Sequence, residues 1–205
     1  MLEVLYSDGR IAVCIKPVGL DSEHQVPEEL VKQLGGEVYP IHRLDQNVGG
    51  VMVFARTRQA AAELSQAVQN GTMVKEYVAQ VHNTPEQSGV WEDLLFKDSR
   101  KNKVFVVKKQ RAGVKKAKLS FERWWAGEES IVLVRLYTGR SHQIRVQFSS
   151  RGFPLVGDHK YGSRSKLTNP QLFCARITFP YDGENRVFSA LPQWAEPYKT
   201  EDWVG

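Results

Sequence analysis

Ile41-His42-Arg43-Leu44-Asp45-Gln46-Asn47-Val48-Gly49-Gly50 sets an imidazole, a guanidinium and a carboxylate within four consecutive positions and follows them with paired glycines. The glycines free the backbone just before an apolar run, 51–55, that reads as a strand. Polar groups at the mouth of a strand are where a rigid scaffold can present chemistry. The same residues also suit a surface turn whose Asp bonds its own backbone. Spacing alone leaves both readings open.

Outward from this stretch the patterns alternate quickly. Towards the N-terminus, 4–6 and 11–15 are β-rich runs around Ser7-Asp8-Gly9-Arg10 and predict a hairpin, which Pro17 ends. Residues 27–34 predict a short helix opening at Pro27 and stopped by Gly35-Gly36. Towards the C-terminus, Thr57 is placed to cap a helix running to Asn70, with Ala60, Leu64, Ala67 and Val68 on one face and Gly71 after it. Strand patterns follow at 75–81, 90–96, 103–107, 117–125 and 130–136. Ser141 is placed to cap a second helix to about Arg151, and 173–179 with 186–189 predict a closing strand pair around Asp182-Gly183. Strands outnumber helices and mostly follow one another. The expectation is an α+β fold, one domain over residues 1–205, with a large, mostly antiparallel mixed sheet flanked by helices and loops.

The chain has 205 residues, 41% of them hydrophobic, enough for a core. No apolar run reaches the roughly 18 residues of a membrane span, and the start lacks a basic n-region, so neither a membrane helix nor a signal peptide is expected. Cys14 and Cys174 lie in apolar runs and read as buried thiols. No CxxC or HxxxH spacing occurs, so no metal is expected. Net charge is +5, but residues 97–118 hold ten basic side chains against Asp98 alone. That segment carries +9 and leaves −4 on the rest, a distribution that suits a polyanion partner, or else a solvated loop.

Five separated segments agree, in order, with one family. They are Lys16-Pro17-Val18-Gly19, His42-Arg43-Leu44-Asp45, Lys75-Glu76-Tyr77-Val78-Ala79, Leu136-Tyr137-Thr138-Gly139-Arg140-Ser141-His142-Gln143-Ile144-Arg145, and Gly157-Asp158 with Tyr161-Gly162. The chain resembles the RluA-type pseudouridine synthases over nearly its whole length. It departs where Val48-Gly49 stand in place of the family's frequent Thr-Ser, and where Cys174 stands in place of a frequent His. Nothing precedes the first hairpin, so the small basic RNA-binding domain of many relatives is expected to be absent.

The resemblance implies the pseudouridine synthase fold, with an active-site cleft across the sheet, and an isomerisation of uridine in RNA that needs no cofactor. It implies Asp45 as the catalytic carboxylate, attacking the ribose or the base or removing a ribose proton. It implies Tyr77 stacked on the uracil and helping to move the C5 proton, and Arg145 paired with Asp45 to keep it ionised. Arg43 would help displace the target base. His42, Arg140 and His142 complete the implied RNA contacts, although a histidine in such a place serves as often as a structural donor. Lys16 and Tyr161 are implied as architecture at the rim of the cleft. Lys108, Lys109, Lys115 and Lys116 are the expected RNA-docking lysines of the basic segment. The expected partner is transfer RNA, ribosomal RNA or both, met by a monomer in the cytosol. An RNA-binding protein that keeps the fold without catalysis is the rival; a hydrolase using His42, Asp45 and His142 is more remote. Free uracil as product would favour the hydrolase, a ribose-linked isomer the synthase, and binding without product the rival.

Overall fold

The computed structural model describes residues 1–201 and Trp203, and the chain packs as two compact units. One unit holds Met1–Lys75 and Phe173–Pro192; the other holds Glu76–Leu172 and the described residues from Gln193 to Trp203.

In the first unit β1 (Glu3–Ser7) and β2 (Ile11–Lys16) form the expected antiparallel hairpin. Asp8 organises its turn: one carboxylate oxygen accepts from the N–H groups of Arg10 (2.7 Å) and Ile11 (2.8 Å), the other from the hydroxyls of Tyr6 (2.8 Å) and Tyr181 (2.5 Å). Helix α1 (Gln25–Leu34) starts two residues before the predicted Pro27. Proline is tolerated there because the N–H groups of a first turn have no intrahelical partner. Gly35, at φ 69°, ends it. A two-residue strand β3 (Tyr39–Pro40) was not expected; it is too short to carry a period. Strand β4 (Gly49–Ala55) is buried at every position and pairs antiparallel with β2 and β3 and parallel with β10 (Leu172–Tyr181). β10 turns back into β11 (Glu184–Ser189) through Asp182 and Gly183, at φ 52° and 80°, the left-handed pair that a tight hairpin demands. Helix α2 (Arg58–Gln69) is capped as predicted, Thr57 Oγ1 accepting from Ala60 N at 3.1 Å. Its Ala60, Leu64 and Ala67 share one core cluster with Ile11, Val51, Val53 and Phe179.

β5 (Val74–His82), which belongs to the second unit from Glu76 onward, β6 (Ser88–Asp98), β7 (Lys103–Val107), β8 (Val114–Trp125) and β9 (Glu129–Leu136) lie in the order β5-β9-β8-β6-β7. The β6–β7, β6–β8 and β8–β9 pairs are antiparallel. With the parallel β4–β10 pair, the fold is α+β with mixed, mostly antiparallel pairing, as the sequence predicts. Helix α3 (Gln143–Ser149) is buried along nearly its whole length. Phe148 meets the rings of Trp91 and Phe121 at 4.6 and 5.5 Å, and Val146 clusters with Leu95, Val104 and Ala117.

The start of α3 differs from the expectation. Ser141 does not cap it; His142 occupies the cap position in the left-handed region, φ 50°, with no side-chain cap. The Gln143 amide ties this corner instead. Its oxygen accepts from Arg140 N (3.0 Å) and Thr138 Oγ1 (2.8 Å), and its nitrogen donates to Lys118 O (3.1 Å). An amide carries both donors and acceptors, so it can bridge a turn to a strand in a way one hydroxyl cannot. No helix of the described residues is long and apolar enough to cross a membrane.

Candidate active site

The loop between β3 and β4 carries His42, Arg43 and Asp45, and its backbone is fastened at several points. Lys16, with no accessible surface, donates from Nζ to Pro17 O (2.9 Å) and Gln46 O (3.2 Å). Gly19 N also donates to Gln46 O (2.8 Å), and Gln46 Nε2 returns a bond to Gly19 O (2.9 Å). The Ser22 hydroxyl accepts from Leu44 N (3.2 Å) and donates to Leu44 O (3.0 Å). Val48 N closes a turn onto Asp45 O at 2.9 Å. Buried Leu44 therefore pins the loop between exposed Arg43 and half-buried Asp45. Burial pushes the Lys16 ammonium down to about 8, against the attraction of Asp21 and Asp45. It still keeps its proton near neutrality, so Asp45 stands in the field of a buried cation. The sequence pointed to Lys16 as architecture; the clamp made by Ser22 carried no signal there, since a lone serine twenty-two residues away has no pattern.

His42 is buried, and its Nε2 accepts from Val53 N at 3.3 Å. Burial, and then the charge of Lys75, hold its imidazole down at about 3, so it is neutral. It serves the strand as an acceptor, where a donor was the structural alternative. Arg43 is exposed and reaches Glu23 Oε2 at 3.3 Å. Cys14 and Cys174 are buried thiols, as expected, and burial pushes the Cys14 thiol up to about 12. Gly50 takes φ 138°, and a Cβ there would lie 2.4 Å from Cys174 N. The second glycine of the pair is thus required by the close approach of β10.

In the second unit Tyr77 lies in β5, 5% exposed. Arg145, on α3, grips Asp158 with two bonds, Nε to Oδ2 at 2.7 Å and Nη2 to Oδ1 at 2.9 Å. The two side chains are 4% and 1% exposed, so this is a buried, bidentate pair. The sequence matched Asp158 to a motif but gave it no task. Thirteen residues and an irregular loop separate the partners, and no periodicity spans that. Tyr161, 6% exposed, is a hub: its hydroxyl accepts from Val104 N (2.9 Å) and bonds His142 Nδ1 (2.8 Å), while its ring lies 5.2 Å from the Arg145 guanidinium carbon. The left-handed backbone of His142 is what aims that imidazole at Tyr161.

Lys108, Lys109, Lys115 and Lys116 are all exposed, and Arg140 Nε donates to Lys116 O at 2.9 Å, which sets Arg140 beside them. Lys118 is paired across the strands with Glu92 at 2.8 Å. The basic segment gathers at the two ends of β7. β7 divides it: Asp98 faces Lys103 at one end and Leu94 faces Val107 at the other. Five strand residues separate the two ends by about 15 Å.

Residues 10–150 match the family model described as RNA pseudouridylate synthase. The "Uncharacterized RNA pseudouridine synthase YhcT" of Bacillus subtilis (strain 168) is 33% identical over 185 residues, 83% of this chain and 61% of that protein. The "Dual-specificity RNA pseudouridine synthase RluA" of Escherichia coli (strain K12) is 32% identical over 203 residues, 92% of each. The chain spans 61%, 59% and 42% of the relatives it matches in B. subtilis, Aquifex aeolicus and Chloroflexus aurantiacus. Among solved structures, "Human RNA Pseudouridylate Synthase Domain Containing 1" superposes with a TM-score of 0.83 over 97% of this chain and 86% of that one; at 20% identity it speaks to the fold. With the family model spanning most of the chain and RluA matched almost end to end, this chain belongs to the RNA pseudouridylate synthase family, and within it to the RluA type.

Proposed function

We propose that this chain converts particular uridines of structured RNA, transfer or ribosomal or both, into pseudouridine, with Asp45, Tyr77 and Arg145 as the catalytic groups. The N-glycosidic bond breaks, the uracil turns, and C5 bonds the same ribose carbon; C5 gives up its proton and N1 ends with one. Nothing is oxidised, and no group enters or leaves. One observation carries the reading most directly: the loop around Asp45 is held by Lys16, Gly19 and Ser22 through its own backbone, which leaves the carboxylate on a fixed platform. Tyr77 offers a ring to stack on the base and Arg145 a guanidinium oriented by Asp158. The name of the E. coli relative supports RNA as the substrate class.

The test is Asp45→Asn in single turnover, with base-resolution pseudouridine mapping of RNA incubated with each protein. Product should fall to background while RNA affinity stays within about twofold, because phosphate contacts dominate affinity. Turnover above about a tenth of the parent's refutes the role of Asp45. Binding by the parent without product would instead identify an RNA-binding protein, and free uracil a hydrolase.

A further inference from the structure

Two segments far apart in sequence build one basic surface in the second unit. The β6–β7 turn brings Arg100, Lys101 and Lys103; the loop after α3 brings Lys160, Arg164 and Lys166. Hydrogen bonds join them: Lys160 Nζ donates to Asn102 O at 3.0 Å, and Val104 N donates to the Tyr161 hydroxyl at 2.9 Å. The acid of the turn, Asp98, accepts from the N–H groups of Arg100 (3.0 Å) and Lys101 (3.1 Å), which fixes the backbone carrying those two cations. Five of the six are exposed; Lys103 is half-buried and lies over the Tyr161 ring at 5.3 Å. None of the six is ion-paired with a described carboxylate, whereas Lys118 and Arg151 are answered by Glu92 and Asp93. Unanswered cations on a fixed backbone make a field that favours a polyanion. Tyr161 links this surface to the site, because Arg145 lies 5.2 Å from the same ring.

We propose that Arg100, Lys101, Lys103, Lys160, Arg164 and Lys166 form a phosphate-tracking wall that holds the RNA strand flanking the target uridine. The proposal rests on the function proposed above and names a contact surface for it, separate from the lysines at the other end of β7. Side chains of this kind reach phosphates and do not read bases, so the wall adds affinity and association rate and leaves sequence choice to other groups.

Salt-dependent binding tests it. The full chain is titrated with fluorescein-labelled bulk transfer RNA at several salt concentrations, with Arg100→Gln/Lys101→Gln/Lys160→Gln against the parent. Each lost phosphate contact removes about 0.7–0.9 from the log–log slope. The triple variant should therefore flatten the slope by about two and weaken binding about tenfold. A control removing three exposed charges elsewhere, Lys32→Gln/Arg186→Gln/Lys199→Gln, should leave the slope within about half a unit. Arg164→Gln/Lys166→Gln covers the case in which the triple variant unfolds, since these side chains make no hydrogen bond to described residues. A parental slope in a folded wall variant, or an equal loss in the control, overturns the wall. The slope is read without product, so a parent protein that makes no pseudouridine refutes the proposed function alone, and a parental slope with normal product refutes the wall alone.

Discussion

Lys16→Met should stabilise the protein and disable it. Methionine keeps nearly the length and volume of the lysine while removing the ammonium beneath the Asp45 loop. The lysine has no accessible surface, and burial brings its pKa from 10.5 to about 8. The unfolded chain therefore keeps this proton up to about pH 10.5, while the folded chain releases it near 8. Between those values the unfolded state binds more protons, so stability rises with pH across the window. Below it, the buried charge weighs against folding by about 2–3 kcal/mol, after a discount for water near a surface loop. Methionine removes that term. It also removes two hydrogen bonds, but Gln46 O keeps its bond from Gly19 N, and Pro17 is exposed, so its carbonyl can turn to water. At pH 7 the variant should be as stable as the parent or up to about 2 kcal/mol more stable, a rise in Tm of about 0–8 °C. The parent's gain between pH 8 and 10.5 should be absent from the variant and so appear as the slope of the difference profile. Cys14, whose thiol is pushed up to about 12, lowers stability as pH climbs past 9, but it does so in both proteins and cancels. Turnover should drop at least about tenfold, because the loop around Asp45 loses a tether. Urea unfolding from pH 6 to 10.5, with single-turnover rates at pH 7, measures all three. A variant more than about 1 kcal/mol less stable at pH 7, or one that keeps the parental alkaline rise, refutes the reasoning.

Tyr77→Phe keeps the stacking face and removes the hydroxyl; turnover should fall about a hundredfold with RNA affinity unchanged, and parental turnover would show that only the ring matters. Asp158→Asn keeps an acceptor for Arg145 but removes the buried charge, so chemical denaturation should show a loss of about 2–4 kcal/mol, and a loss below about 1 would mean the pair contributes little. At Asp8, burial favours the neutral acid, but hydrogen bonds from Tyr181, the Ile11 and Arg10 N–H groups and Tyr6 outweigh it and hold the carboxyl at about 2, below its ordinary 3.8. Its contribution is full above about pH 4 and is lost as pH falls through 2, so Asp8→Asn should flatten the acid limb of an unfolding series; superimposable limbs would contradict this.

The elements legible in the sequence were those whose signals are local. Thr57 with the apolar face of α2, and Asp182-Gly183 between two β-rich runs, each state their structure within a few residues. What escaped depended on distance. Ser141 has the right chemistry for a cap, yet the Lys118 backbone offers Gln143 a better attachment. Asp158 and Arg145 meet only because the chain returns to α3, and the β6–β7 register, which sets basic residues at opposite ends of β7, carries no local signal. The candidate catalytic residues were legible for another reason. Five short motifs in a fixed order name a family, though neither spacing nor charge assigns Asp45 a task.

Gly50 has a consequence for how this chain can vary in length. With Cys174 N only 2.4 Å from where a Cβ would sit, that position works as a zero mark from which the approach to Asp45 is measured. Four residues lie between the two, and a deletion among them cannot be absorbed by sliding β4, because Val51 would then have to take the glycine's place against β10, while an insertion would turn every later side chain of this buried strand to the other face of the sheet. Gly35, by contrast, is exposed and has nothing within 4 Å of its would-be Cβ. Length polymorphism should therefore accumulate around 35–37, while the interval from Asp45 to Gly50 stays rigid in residue count even where its side chains drift.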